Sequence, residues 1–323
     1  MKVTRSLTLD GNICTEMLSL LTSIKENEDI LFYEEHRLRH PLGICTVSES
    51  RFYRALQSLM DFLGDAEDIK RYRKDDSLFL KTKEAISSLT AYIDDMYLVF
   101  KCYYPANRVD KKITFADRWL EKAGCNEIAN FKSSIKEFTE PFIIADDCIK
   151  HNHARIAQLR FNTLIYGSAY GFYVLDMSDT GALTPNEEIH PEFKGMATAF
   201  SYNRFLLQLI SSFYFVSSHA ERTLRKILTQ EFDFSPPSGK TDIDSSSIID
   251  LIKQLNGTLT KILFDDEYEK CAQVEYENDT LIIKIPADKV YIKSRFEKYT
   301  RAKIEMVDSA DGVTRSWKLP YMR

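Results

Sequence analysis

Near its start the chain alternates: Val3, Leu7 and Leu9 interleave with Thr4, Ser6 and Thr8, and Arg5 interrupts the pattern. A period of two belongs to a strand with one buried face, and Asp10-Gly11 supplies the turn that ends it. A lone terminal strand needs a partner, so this end is expected to be tied into a sheet. The period then lengthens. Ile13, Met17, Leu20 and Leu21 fall at helical spacing and predict a helix over 12–25. A second short helix through Ile30-Leu31-Phe32-Tyr33 is expected to break at His40-Pro41-Leu42-Gly43. Ser48 is placed to cap the next helix, which carries Phe52, Leu56, Met60 and Leu63 and stops near Gly64-Asp65.

A broad apolar face recurs from 77 to 103, through Leu78, Leu80, Ile86, Leu89, Ile93, Met96, Val99 and Phe100, and predicts a long helix stopped by Pro105. Thr114, with Asp117 three residues later, has the spacing of a cap for a short helix through Trp119 and Leu120, closed by Gly124. Another helix is expected over 126–138. After Pro141 a further helix is expected to run to Arg160, with Ala145, Cys148, Asn152, Ile156 and Leu159 as its inward stripe. Leu164-Ile165-Tyr166 and the stretch from Tyr170 to Leu175 are rich in β-formers, and Ser178-Asp179-Thr180-Gly181 leads to Ala182-Leu183-Thr184. The expectation here is a hairpin inserted between helices. A final long helix, capped by Ser201, carries Phe205, Leu206, Leu209, Ile210, Phe213, Val216, Leu224 and Leu228.

Ser235-Pro236-Pro237-Ser238-Gly239-Lys240 has the composition of a linker, and the polar run to Ser247 extends it. The fold class expected is therefore mainly α. A bundle-like helical domain spans 1–235, with a short N-terminal strand and a hairpin near 164–184, and a linker covers 236–247. A small basic α+β module follows over 248–323. In that module a helix is expected over 248–263, a hairpin around Asn278-Asp279, a helix over 290–302, and strands flanking Asp311-Gly312.

Length and composition agree with this picture. At 323 residues two domains are the natural expectation, and 11 Gly and 9 Pro are too few for a loop-rich all-β chain. With 20 Phe and 17 Tyr, much of the interior is aromatic, and the tyrosine hydroxyls inside it need partners. The six cysteines, Cys14, Cys45, Cys102, Cys125, Cys148 and Cys271, are too widely spaced for a zinc knuckle or a CxxC pair, and buried thiols are expected. The N-terminal residues lack the apolar core of a secretion signal and no stretch is long and apolar enough to span a bilayer, so a cytoplasmic location is expected. A net charge of -5 gives no overall pull toward nucleic acid or anionic membrane, and any such partner must use a local patch.

Two places carry candidate chemistry. Asp146-Asp147-Cys148-Ile149-Lys150-His151-Asn152-His153-Ala154-Arg155 is the densest run of reactive side chains. On one helix Asp147, His151 and Arg155 stand at four-residue steps and share a face. There a carboxylate orients an imidazole for proton transfer and a guanidinium grips a phosphate, with Asp146 or His153 available to a metal-dependent version. The competing account is a solvated helix face held by ordinary i,i+4 pairs. The second place is 284–303, where seven cations stand against two acids. Lys289, Lys293, Arg295, Lys298 and Arg301 there interleave with Tyr291, Phe296 and Tyr299, a composition suited to phosphates and unpaired bases, although a basic face alone is a weak nucleic-acid signal and a small module with an aromatic core and a solvated basic side is the favoured account.

Other signatures are missing. Glu34-Glu35-His36-Arg37-Leu38-Arg39-His40 lacks the HExxH order and reads as a charged helix end, while His190 and His219 are expected at the surface. Gly167-Ser168-Ala169-Tyr170-Gly171 has neither the lysine of a P-loop nor dinucleotide spacing, and there is no G-x-S-x-G elbow. No cofactor and no metal is expected. The function expected is that of a non-enzymatic interaction or scaffold protein, one subunit of a multi-component bacterial system, with a protein partner or self-association and no membrane. The alternatives are a nucleic-acid-acting hydrolase using Asp147, His151 and Arg155, and a nucleic-acid binder using the basic tail.

Overall fold

The computed structural model describes residues 5–9, 14–64, 77–109, 112–151, 155–163, 167–177, 183–190, 192–193, 196–197, 200–237, 250, 251, 254, 273–277, 280–285 and 304–306. The described residues are mostly helical. In order come β1 (Arg5–Leu9), α1 (Glu16–Ser23), α2 (Pro41–Gly64), α3 (Ser77–Lys101), α4 (Ala116–Lys122) and α5 (Glu127–His151). Then follow β2 (Arg155–Thr163), β3 (Gly167–Met177), β4 (Leu183–Pro185), β5 (Glu192–Phe193), β6 (Met196–Ala197) and β7 (Phe200–Ser201). The long α6 (Tyr202–Phe232) leads to β8 (Gln273–Glu277), β9 (Thr280–Ile285) and β10 (Ile304–Met306).

The expected apolar stripes build the core. Leu78, Ile86, Leu89, Ile93, Met96, Val99 and Phe100 of α3 are buried, as are Phe205, Leu206, Leu209, Ile210, Phe213, Val216, Leu224 and Leu228 of α6. Phe213 lies at the centre. Its ring stacks on Phe52 of α2 at 4.1 Å and meets Tyr92 of α3 at 4.5 Å, so one aromatic side chain joins three helices. Leu80, expected in the stripe of α3, is instead exposed.

Several boundaries differ from those read from the pattern. Pro41 does not break a helix; it begins one. Its missing N–H falls where a helix has no partner to offer, and His40 acts as the cap, its Nδ1 accepting from the Leu42 N–H at 3.2 Å. Ser48 is therefore buried in the second turn of α2 instead of capping it. Glu28–Ile30 forms one 3-10 turn where a short helix was expected over 30–33. Phe115, not Thr114, precedes α4, and no side chain caps that end; Gly124, at φ 83°, closes the other as expected.

The largest correction concerns 126–160. One helix, α5, crosses Pro141, because Ile128, Phe131 and Ile135 before it and Phe142, Ala145, Cys148 and Ile149 after it bury a single face. Ser212 of α6 donates to the Phe138 carbonyl beside the proline at 3.0 Å. That helix ends at His151, and the stretch expected to continue it to Arg160 is β2. Strand β2 pairs antiparallel with β3 over nine residues, from Arg155↔Leu175 to Thr163↔Gly167. The hairpin is thus present, with its first strand earlier than the expected 164–166, which lies outside the described residues. Strand β3 also pairs with β4 and β7.

Strand β1 is tied into a sheet, as expected. It pairs with β9 from Arg5↔Ile285 to Leu9↔Leu281, and β9 pairs with β8. Two further contacts link residues on either side of 236–247. Strand β10 pairs with β2, Ile304↔Phe161 through Met306↔Leu159. Leu251 is buried in the helical core, and Gln254 donates to Asp61 of α2 at 2.5 Å. Among the described residues no helix is long and apolar enough to cross a membrane. Cys14, Cys45, Cys102, Cys125 and Cys148 are buried thiols not joined in disulfides, and Cys271 lies outside the described residues.

Candidate functional site

The ladder Asp147, His151, Arg155 rests on a helix that stops one step too soon. Asp147 and His151 both belong to α5, but Arg155 opens β2, so the three do not share a helix face. Asp147 and Arg155 are both exposed. Asn152 and His153, and the basic residues Lys289, Lys293, Arg295, Lys298 and Arg301, lie outside the described residues.

The buried acid of this run is the neighbouring Asp146, 3 % exposed. One turn before Ile149 and one after Phe142, it falls on the face of α5 that packs against α3. Two hydroxyls of α3 serve it: Ser87 Oγ donates to Oδ1 and Thr90 Oγ1 to Oδ2, each at 2.5 Å. Lys150, one turn along α5, donates to Oδ2 from a half-exposed position. The two hydroxyls cross from α3, so the group holds α5 against α3.

A second buried acid lies where no motif pointed. Glu49 is 3 % exposed on the apolar stripe of α2, between Cys45 and Phe52. Its Oε1 accepts from the hydroxyl of Thr15 and from Cys45 Sγ at 3.5 Å. Thr15 is also the N-cap of α1, accepting the Leu18 N–H at 3.2 Å, and the same end is held by the Met17 N–H donating to Ser217 Oγ of α6 at 3.1 Å. Burial pushes the Glu49 carboxyl up to about 7, and the Thr15 and Cys45 donors offset only part of that rise. The nearby thiol of Cys14 is likewise pushed up by burial, to about 12. A third acid, Glu127 at the start of α5, receives Lys226 Nζ at 3.1 Å and Gln230 Nε2 at 3.3 Å from α6. Burial raises it, but these donors together hold it below the usual carboxylate range.

The histidines also differ from expectation. His190 is not at the surface; it is 1 % exposed, its Nε2 accepts the Val174 N–H of β3 at 2.8 Å, and its ring meets Tyr173 and Phe200 edge-on. It closes the β3 ladder beyond the end of β4, with Asn186 bonding the turn between them. His219 is half-buried against Phe215. His36 and His40 lie outside any helix: His36 Nε2 bonds the Tyr104 carbonyl at 2.7 Å and its ring meets Trp119, while His40 caps α2. Burial lowers the His36 pKa. Among the described residues no three His, Cys, Asp or Glu side chains are grouped so as to hold a metal ion.

Glu49 is the residue that motif reading missed, and Asp146 was named there only as a metal ligand, though a signal for the buried position of both was present. Each is an acid at the helical spacing of an apolar stripe, with Cys45, Phe52 and Leu56 around Glu49 and with Phe142 and Ile149 around Asp146. Compared with known proteins, the chain matches no family model, no curated protein and no solved structure.

Proposed function

We propose that the chain is a non-enzymatic interaction protein, a subunit that works by binding a protein partner or a second copy of itself. The observation that carries this reading is the commitment of its buried ionisable groups. Asp146 bonds α3, Glu127 bonds α6, Glu49 bonds the cap of α1 and His190 bonds β3, so each is engaged in joining two elements. Groups enclosed and engaged between elements in this way serve a framework, whereas a general acid or base must reach a substrate proton. Sedimentation velocity across the micromolar range, with cross-linking, tests it. Concentration-dependent assembly supports the reading. A strict monomer that hydrolyses RNA or DNA, and loses that activity in His151→Ala, overturns it.

One observation favours a nucleic-acid role as the second reading. The basic stretch 284–303 begins on β9 and runs up to β10, and β10 pairs with β2, the strand that Arg155 opens. Chain continuity therefore brings one end of the basic segment to the sheet that carries Arg155. In this reading His151 is the acid/base, Asp147 orients it, Arg155 takes the phosphate, and Lys289, Lys293, Arg295, Lys298 and Arg301 dock the strand. A pure binder would use those cations alone. Affinity for single-stranded RNA that falls steeply with added salt supports the docking surface, and salt-independent or absent binding rejects it.

A further inference from the structure

We propose that Glu49 is a proton-controlled latch on the first helix: with its carboxyl neutral α1 is clamped through Thr15 onto α2, and ionisation favours an opened state in which water reaches the carboxylate. The geometry has three parts. Glu49 is enclosed, and the donors to its Oε1 are an uncharged hydroxyl and an uncharged thiol. Two such donors are too few to replace the water shell of a carboxylate. The hydroxyl is also the N-cap of α1, so the bond that meets the acid is the one that starts the helix. And α1 has only eight residues, too short to persist without packing, held by Met17, Leu20, Leu21 and the Ser217 contact. Among the elements meeting at Glu49 it is the one that opens at least cost.

The groups around the latch are themselves acids. Cys14 precedes α1, Cys45 and Tyr53 lie on α2, Tyr92 on α3 and Tyr214 on α6. Burial raises every one of them, so they stay neutral through the physiological range. Asp95 of α3 acts on Cys45 and is met by Arg51 at 3.5 Å. Glu49 is thus the group that titrates inside the cluster, with Asp95 at its edge.

The sign follows from proton counting. An opened Glu49 titrates near the ordinary 4.5 and a closed one near 7, so opening releases a proton between those values. The clamp is complete below pH 4.5, weakens up to pH 7 and is level above it. Hydrogen exchange on the full-length protein, corrected for intrinsic rates, reads this directly. Opening of residues 16–24 is expected to rise about fiftyfold from pH 5 to pH 7.5, while α5 stays level. Glu49→Gln is expected to hold α1 at the low-pH level throughout. A slope shared equally by all helices, no slope in α1, or an unchanged slope in Glu49→Gln overturns the latch. Should that variant not fold, the carbon-13 titration of the Glu49 carboxyl in the unaltered protein decides: a midpoint near 7 supports the latch, and one near 4.5 rejects it.

Discussion

Adjacent acids on one helix give a controlled comparison. Asp146 is buried and receives Ser87, Thr90 and Lys150, whereas Asp147 faces solvent. Hydrogen bonds to a charged acceptor contribute about 1.5–3 kcal/mol each, and an exposed i,i+4 ion pair about 0.3–0.5 kcal/mol. In Asp146→Ala the half-exposed Lys150 ammonium returns to water at little cost. Ser87 is half-buried and recovers part of its bond from solvent, and Thr90 can turn its single hydroxyl hydrogen to the Ser87 carbonyl at 3.1 Å. What remains is two strained or weakened donors and a small void between α3 and α5, a net loss of about 3 kcal/mol. Asp147→Ala should change stability by less than about 0.5 kcal/mol. Urea unfolding followed by far-ultraviolet circular dichroism measures both, provided the denaturant slope is unchanged. A loss below about 1 kcal/mol for Asp146→Ala, or equal losses for the two variants, would refute the assignment of Asp146 as the tie between α3 and α5.

Further outcomes follow from single features. Glu49→Gln should match the parent in stability below pH 4.5 and exceed it by about 3 kcal/mol at pH 8, since a carboxyl raised from 4.5 to about 7 loses that much as pH climbs through the interval; denaturation at both pH values checks it. Gly124→Ala should cost about 1 kcal/mol in the same assay, because φ is 83° while nothing lies within 4 Å of an added Cβ. Asp233, at φ 49° after α6, is the converse, and Asp233→Gly should raise the thermal midpoint by relieving up to about 1 kcal/mol of backbone strain. A chain ending at 247 should unfold at lower denaturant, because β1 loses β9, β2 loses β10 and the site of Leu251 is uncovered; an unchanged midpoint would instead support 248–323 as an independent module.

Legibility tracked how local the deciding forces were. Both ends of α3 and the start of α6 were read almost to the residue, since a stripe sustained over many turns leaves one solution. In β2, Ile156 and Leu159 stand three apart and fit a helix, while Leu159, Phe161 and Thr163 alternate and fit a strand. Nine residues of pairing with β3 settle the choice, and that partner is not visible in the local pattern. His40-Pro41 was misread for a different reason: proline both ends helices and starts them, and only the cap distinguishes the two. Glu49 lies in no cluster of reactive residues and is marked only as a charge out of place on an apolar stripe, and Asp146, though it lies in the cluster 146–155, takes its role from the same misplacement and not from its reactive neighbours.

Those solitary charges explain something that the apolar stripes do not. Hydrophobic burial is non-directional, and a bundle of helices with broad apolar faces can pack in several registers at similar free energy. The polar ties here span long separations in the chain: Thr15 to Glu49, Ser87 to Asp146, Glu127 to Lys226, and Arg108 to Glu231 at 2.6 Å. A misregistered helix would leave a buried carboxylate without its donors, which costs far more than a displaced leucine. Asp146 therefore selects one placement of α5 on α3, and Glu127 one placement of α5 beside α6. Glu49 differs from both in having only uncharged donors, since Lys150 meets Asp146 and Lys226 meets Glu127, so the placement it selects for α1 depends on its own proton.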